Sequence, residues 1–229
     1  FCQFCIYNTN CEIISDNYNF TLTRGEYTMG KVDENKQQKS DALYRSAYDL
    51  FIEQGIEKTS ISDIAKYAGV AKGTFYLYFT DKYELRDRLI AKITGNLFLA
   101  AWQALESSHT PQFEDRIIFI VDYILERMKE NKPMLRFISK NLSWGIFKQA
   151  ILQSNDEEEI NVKELYRNHL LENPVVKLRD PETMMFLIIE LASSTSYSTI
   201  LENDPMPFED LKPYLNASIR AIIKNHVIS

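Results

Sequence analysis

The residues with which this chain could do acid–base, nucleophilic or metal chemistry are three histidines, three cysteines and 32 carboxylates in 229 residues. Their spacing does not assemble them. His109, His169 and His226 are dispersed, and none belongs to an H-E-x-x-H pattern, which sets two ligands and a base on one helix face. Cys2, Cys5 and Cys11 lie in the first eleven residues, Cys2 and Cys5 at C-x-x-C spacing. A zinc site takes about four ligands, and no histidine lies near them. The acidic stretches "DEEE" and "ED" have no ordered partner that would split an acid from a base. There is no G-x-G-x-x-G and no phosphate loop. The expectation is therefore a protein that is not an enzyme, with no cofactor and no metal.

What the residues do offer is the capture of an anion. Asp81 is a helix-capping residue, and Glu84 stands at the third position of a capping box. Lys82 then falls in the first turn, where its charge opposes the helix dipole. A phosphate would explain the placement, because first-turn N–H groups and an ammonium together make an anion site. A surface salt bridge is the plainer alternative.

The elements around that lysine are short. Leu43, Ala47, Leu50 and Phe51 repeat at helical spacing from Ser40, and Gly55 supplies a stop. Ser60 with Asp63 suits a second helix start, and Ile61, Ile64, Ala65 and Ala68 give it an apolar face. Gly69 ends it after two turns. Ala71 opens a further short helix, with Phe75 and Phe79 on one side. Neither short helix is stable alone in water. Sharing a core of Leu43, Ala47, Phe51, Ile64, Ala65, Ala68, Val70, Phe75 and Phe79, they form a helix-turn-helix whose second helix can enter a major groove.

Charge agrees without insisting. The net charge is -6. Residues 31–92 hold 11 Lys and Arg against 10 Asp and Glu, whereas residues 93–229 hold 14 against 19. A reader of DNA built here must place a few charges well, since it has no basic patch.

The stretch "TSISDIAKYAGVAKGTFYLYFTDKYEL", from Thr59 to Leu85, resembles the DNA-binding segment of the TetR/AcrR family of transcriptional regulators. The resemblance covers about 45 residues, from Leu43 to roughly Arg88. It implies an all-α homodimer that binds a palindromic operator on double-stranded DNA and releases it when a small molecule enters the C-terminal domain. By position, Lys72 and Gly73 would meet bases at the start of the recognition helix, with Thr74 next. Tyr76 and Tyr78 match aromatic positions that touch the phosphate backbone, Lys82 matches a phosphate-binding lysine, and Thr59 and Ser60 lie near the backbone. Two departures stand out: Ala71 replaces a capping Ser or Thr, and Leu77 replaces a further aromatic.

The remainder reads as helical. One long helix is expected over Leu85–Ser107, another from near Pro111 to Glu130, and a third from Pro133, with Gly145 bending or ending it. Asn161–Leu171 is a plausible further helix, and the last two begin at Pro181 and Pro207. These last two, long and mostly apolar, match the dimer-forming pair of the family. Phe98, Trp102, Phe119, Tyr123, Phe137, Trp144, Phe147 and Phe186 are either core or the wall of a pocket for an apolar or amphipathic effector. Glu190 faces a cationic ligand or the surface. The domains expected are a 1–38 extension, a 39–85 helix-turn-helix domain and an 86–229 effector-binding and dimerisation domain. Residues 1–28 read equally as weak strand or disorder, lack a signal-peptide pattern, and are taken as an upstream extension outside the fold. No uninterrupted run of 18 apolar residues exists, so no membrane partner is expected. The cysteine-free body suits a reduced, cytoplasmic protein. Ligand-gated repression is the leading function. A DNA-binding adapter controlled by a protein partner is the alternative.

Overall fold

Glycines and caps divide the first helices. α1 (Lys31–Gln54) closes where Gly55 turns into the left-handed region at φ 84°. α2 (Ile61–Tyr67) starts at Ser60 and ends in a Schellman turn. There Gly69, at φ 70°, donates to the Lys66 carbonyl and Val70 donates to that of Ala65. α3 (Lys72–Phe75) follows at once, and α4 (Lys82–Ser107) begins after three turn residues and a bend. The computed structural model describes residues 31–141, 144–152, 164, 167–168 and 175–228. These fall into two compact units, divided between Leu85 and Arg86.

The first unit has a small, mostly apolar centre. Leu43, Ala47, Phe51, Ile64, Ala65, Phe75 and Phe79 are buried, joined by Tyr48 and Leu85; Ala68 and Val70 are half-buried. Phe75 is wholly enclosed, worth about 1.5–3 kcal/mol relative to an exposed side chain. Its ring packs against Phe79, with centroids 5.6 Å apart. α1 begins at Lys31, earlier than the start at Ser40 that its apolar repeat suggests. Lys, Glu and Gln favour helix without needing an apolar face, so periodicity is silent there.

The second unit holds the rest of α4 with α5 (Phe113–Glu130), α6 (Lys132–Asn141), α7 (Trp144–Leu152), α8 (Pro181–Glu202) and α9 (Phe208–His226). The fold is all-α among the described residues. Asn131 joins α5 to α6. Its N–H reaches the Arg127 and Met128 carbonyls, and its side chain accepts the Met134 N–H at 3.0 Å. Gly145 lies inside α7 and does not end it. The expected helix over Asn161–Leu171 and the acidic 154–159 segment fall almost wholly outside the described residues.

α8 packs on α9, α6 and α5, burying Met184, Met185, Ile188 and Ala192. Its mean hydropathy of 1.3 over 18 residues makes it long and apolar enough to cross a bilayer by composition. The absence of an uninterrupted apolar run did not signal that. Glu190 interrupts the run and is exposed. Past the far ends of α8 and α9 the chain crosses itself. Leu178 and Val227 form an antiparallel bridge, with Arg179 N–H donating to His226 O at 2.6 Å and Ile228 N–H to Lys177 O at 2.8 Å.

Polar side chains tie α5 to α9. Arg220 reaches Asp115 at 2.6 Å, Lys212 reaches Glu126 at 2.9 Å, and Lys129 pairs with Glu209. Between them Asn216 donates to Asp122 Oδ2 at 3.1 Å. Burial pushes the Asp122 carboxyl above the usual carboxylate range, against the Asn216 bond and the Lys212 charge. Asp122 Oδ1 and Asn216 Oδ1 are both buried without a hydrogen-bond partner.

Candidate nucleic-acid interface

The candidate reader is built from α2, the turn after it, and α3. Ser60 and Asp63 form the expected capping box: the Asp63 N–H donates to Ser60 Oγ at 3.1 Å, and the Ser60 N–H to Asp63 Oδ2 at 3.1 Å. The Ser60 hydroxyl donates to the same carboxylate at 2.6 Å, and these bonds hold Asp63 below the usual carboxylate range. Ala71 begins α3 with no side-chain cap. α3 is one turn long and tightens afterwards, with Leu77 N–H donating to Thr74 O at 3.1 Å and Tyr78 N–H to Phe75 O at 3.0 Å. A longer helix was suggested by the Phe75–Phe79 spacing. Those rings still share one side because the tighter turns return Phe79 N–H to Phe75 O.

With Phe75 and Phe79 turned inward, the opposite edge is left to solvent. Lys72, Gly73 and Tyr76 are exposed, and Thr74 and Tyr78 half-buried. A Cβ added at Gly73 meets nothing within 4 Å, so nothing inside the chain requires glycine there. Leu77 is 80% exposed between the two tyrosines. It was not among the residues expected to meet DNA.

Two residues of the expected contact set are bonded inside the chain. Thr59 does not present its hydroxyl outward. It is buried, donating to Gly55 O at 2.8 Å and accepting from Gln54 Nε2 at 3.3 Å, because the end of α1 needs its last carbonyls satisfied. Lys82 reaches back to the connection between α1 and α2, where Nζ donates to the carbonyls of Ile56 at 2.8 Å, Thr59 at 3.1 Å and Glu57 at 3.2 Å. The start of α4 is capped by Asp81, whose Oδ1 accepts the Tyr83 and Glu84 N–H groups at 2.8 Å. Glu84 returns to Thr80, one residue before the cap, accepting its N–H and hydroxyl at 2.6 Å.

Residues 43–89 match the family model described as bacterial regulatory proteins, tetR family. This segment is similar to the DNA-binding part of the TetR family. It is 46% identical over 59 residues to the uncharacterized HTH-type transcriptional regulator YvdT of Bacillus subtilis, covering 26% of this chain and 28% of that one. Against an HTH-type transcriptional regulator of Staphylococcus aureus it is 30% identical over 105 residues, covering 46% and 54%. The chain thus spans from about a quarter to about half the length of these two relatives. The fold is shared with a TetR-family regulator from Syntrophomonas wolfei, at a TM-score of 0.58 and 20% identity, covering 83% of this chain and 96% of that one. TetR-family proteins are DNA-binding regulators, not enzymes.

The aromatic residues of the second unit divide. Phe98, Trp102, Phe137 and Phe147 are buried, while Phe119, Tyr123 and Trp144 are half-buried against the core. Phe98 stacks on Trp102 at 6.3 Å and Trp144 on Phe147 at 5.4 Å. Phe186 is 38% exposed and meets Trp144 edge-on at 5.6 Å. Arg116 lies over Trp102 and Arg127 over Tyr123.

Proposed function

We propose that the chain is a dimeric repressor that reads a palindromic operator through the exposed edge Lys72, Gly73, Thr74, Tyr76 and Tyr78, and that an apolar or amphipathic effector releases it. One observation carries the reading. α3 is anchored by two buried phenylalanines, and its other edge offers an ammonium, bare backbone and aromatic hydroxyls to solvent. Those are groups that meet phosphates and base edges. A single one-turn reader contacts few bases. Two readers about one DNA turn (~34 Å) apart read a palindrome.

The second copy would pack on the outer faces of α8 and α9, where Phe186, Leu187 and Tyr214 are exposed. An effector that binds better when the readers are mis-spaced lowers operator affinity by linkage. Selection of duplexes from a random pool by the full chain, with sedimentation of the bound species, tests the reading. A recovered palindrome bound by two chains supports it, and a pool without enrichment overturns it.

One observation favours the adapter alternative: several expected pocket aromatics pack against each other and the core. Thermal-shift measurements against lipophilic compounds separate the two. Stabilisation by some of them supports the ligand sensor.

A further inference from the structure

An ammonium has three N–H donors and no more. Those of Lys82 are matched one for one by the carbonyl oxygens of Ile56, Glu57 and Thr59, all within 3.2 Å. The three carbonyls belong to the connection that leaves α1, where backbone acceptors outrun their helical partners. A lysine in the first turn of α4 opposes that helix's dipole, and three converging carbonyl dipoles offset the cost. The placement therefore has an explanation inside the chain. A phosphate contact would require at least one of these bonds to be given up.

The neighbouring side chains act on the same connection. Tyr83 Oη donates to the Glu57 carboxylate, with contacts of 3.3 and 3.4 Å. The Thr59 hydroxyl closes on Gly55 O. Immediately after Thr59 comes Ser60, the cap of α2. Fixing the Thr59 carbonyl thus fixes where α2 starts and which way it points. The Schellman turn at Gly69 passes that orientation on to α3.

We propose that Lys82 is a positioning residue: its ammonium holds the Ile56–Thr59 carbonyls and so aims the reader, and it does not neutralise a phosphate. The proposal rests on the DNA-binding reading above. It predicts that loss of Lys82 damages discrimination between sequences. A lost phosphate contact would instead weaken all duplexes alike.

The test uses the full chain, its selected duplex and a scrambled duplex of equal length, titrated over a salt series. Lys82→Met keeps the aliphatic stem and removes the donors. The expected result is at least a tenfold loss of affinity for the selected duplex, little change for the scrambled one, and an unchanged slope of log affinity against log salt. Amide exchange over 57–61 should quicken. A slope reduced by about 0.9, with both duplexes weakened together, would mean a phosphate contact and overturn the proposal. Equal weakening at constant slope would mean only a smaller folded fraction, and no change would mean no role; either overturns it too. Should Lys82→Met fail to fold, Lys82→Arg keeps the charge but offers a planar fork that cannot converge on three carbonyls. It should show the same loss of discrimination at an unchanged slope, and wild-type discrimination would overturn the idea. If the wild-type chain selects no duplex, the DNA reading itself has failed, and the exchange rates at 57–61 still report on the lysine.

Discussion

Ser60 and Asp63 satisfy each other's backbone N–H groups, each at 3.1 Å, and so close the start of α2. Replacing Ser60 by Ala removes one half of that exchange, at a cost of about 1 kcal/mol. Chemical denaturation of Ser60→Ala should show it. The Asp63 half is pH-dependent, with a defined sign. Its carboxyl sits below the usual range in the folded chain because of the Ser60 bonds. The stabilisation is therefore present above the unfolded pKa and is lost as pH falls through the folded one. Acid titration of Asp63→Asn should lack that component.

Gly73 tests whether bare backbone serves the reader. Ala is better in a helix by up to about 1 kcal/mol, and a Cβ meets nothing in the chain. Gly73→Ala should leave thermal stability equal or higher while operator affinity falls. A variant that gains stability and binds as before would remove Gly73 from the interface.

Lys72 is exposed at the start of α3. Lys72→Ala should weaken the selected and scrambled duplexes together and lower the salt slope by about 0.9, with an unchanged circular dichroism spectrum.

The Asp122 carboxyl behaves in the opposite sense to Asp63. Burial raises its pKa in the fold, so stability is lost as pH rises from the unfolded pKa through the folded one. Asp122→Asn removes the buried charge and brings an N–H donor beside the orphaned Asn216 Oδ1. Its melting temperature should exceed wild type at neutral pH, with the difference shrinking toward pH 4. A uniform decrease at every pH would show that the charge is needed for its contacts with Lys212.

The outer face of α8 and α9 tests self-association. Leu187→Asp places a charge on a residue that is 41% exposed. It should shift sedimentation from dimer to monomer while keeping helical content.

The helix-turn-helix was legible because its signals are local. Ser60 with Asp63, Gly69, and the Phe75–Phe79 spacing each specify backbone within a few residues, and the observed caps follow them. The bonds that Lys82 and Thr59 make inside the chain were not legible. The Lys82 partners lie up to 26 residues away, and both residues donate to backbone carbonyls, which every residue carries, so no residue type marks them. The start of α1 escaped because helix propensity leaves no period. The aromatic residues of the second unit were legible as core and nothing finer, since an apolar ring is equally at home against a neighbour or a ligand.

The crossing of residues 177–179 with 226–228 joins the entry of α8 to the exit of α9. It turns two helices into a closed loop. Within such a loop, neither helix can slide along its axis without breaking two backbone hydrogen bonds or dragging the other with it, whereas a pivot about the crossing leaves both intact. Force applied to one rod is therefore felt by both, and the pair answers as a hinged clasp.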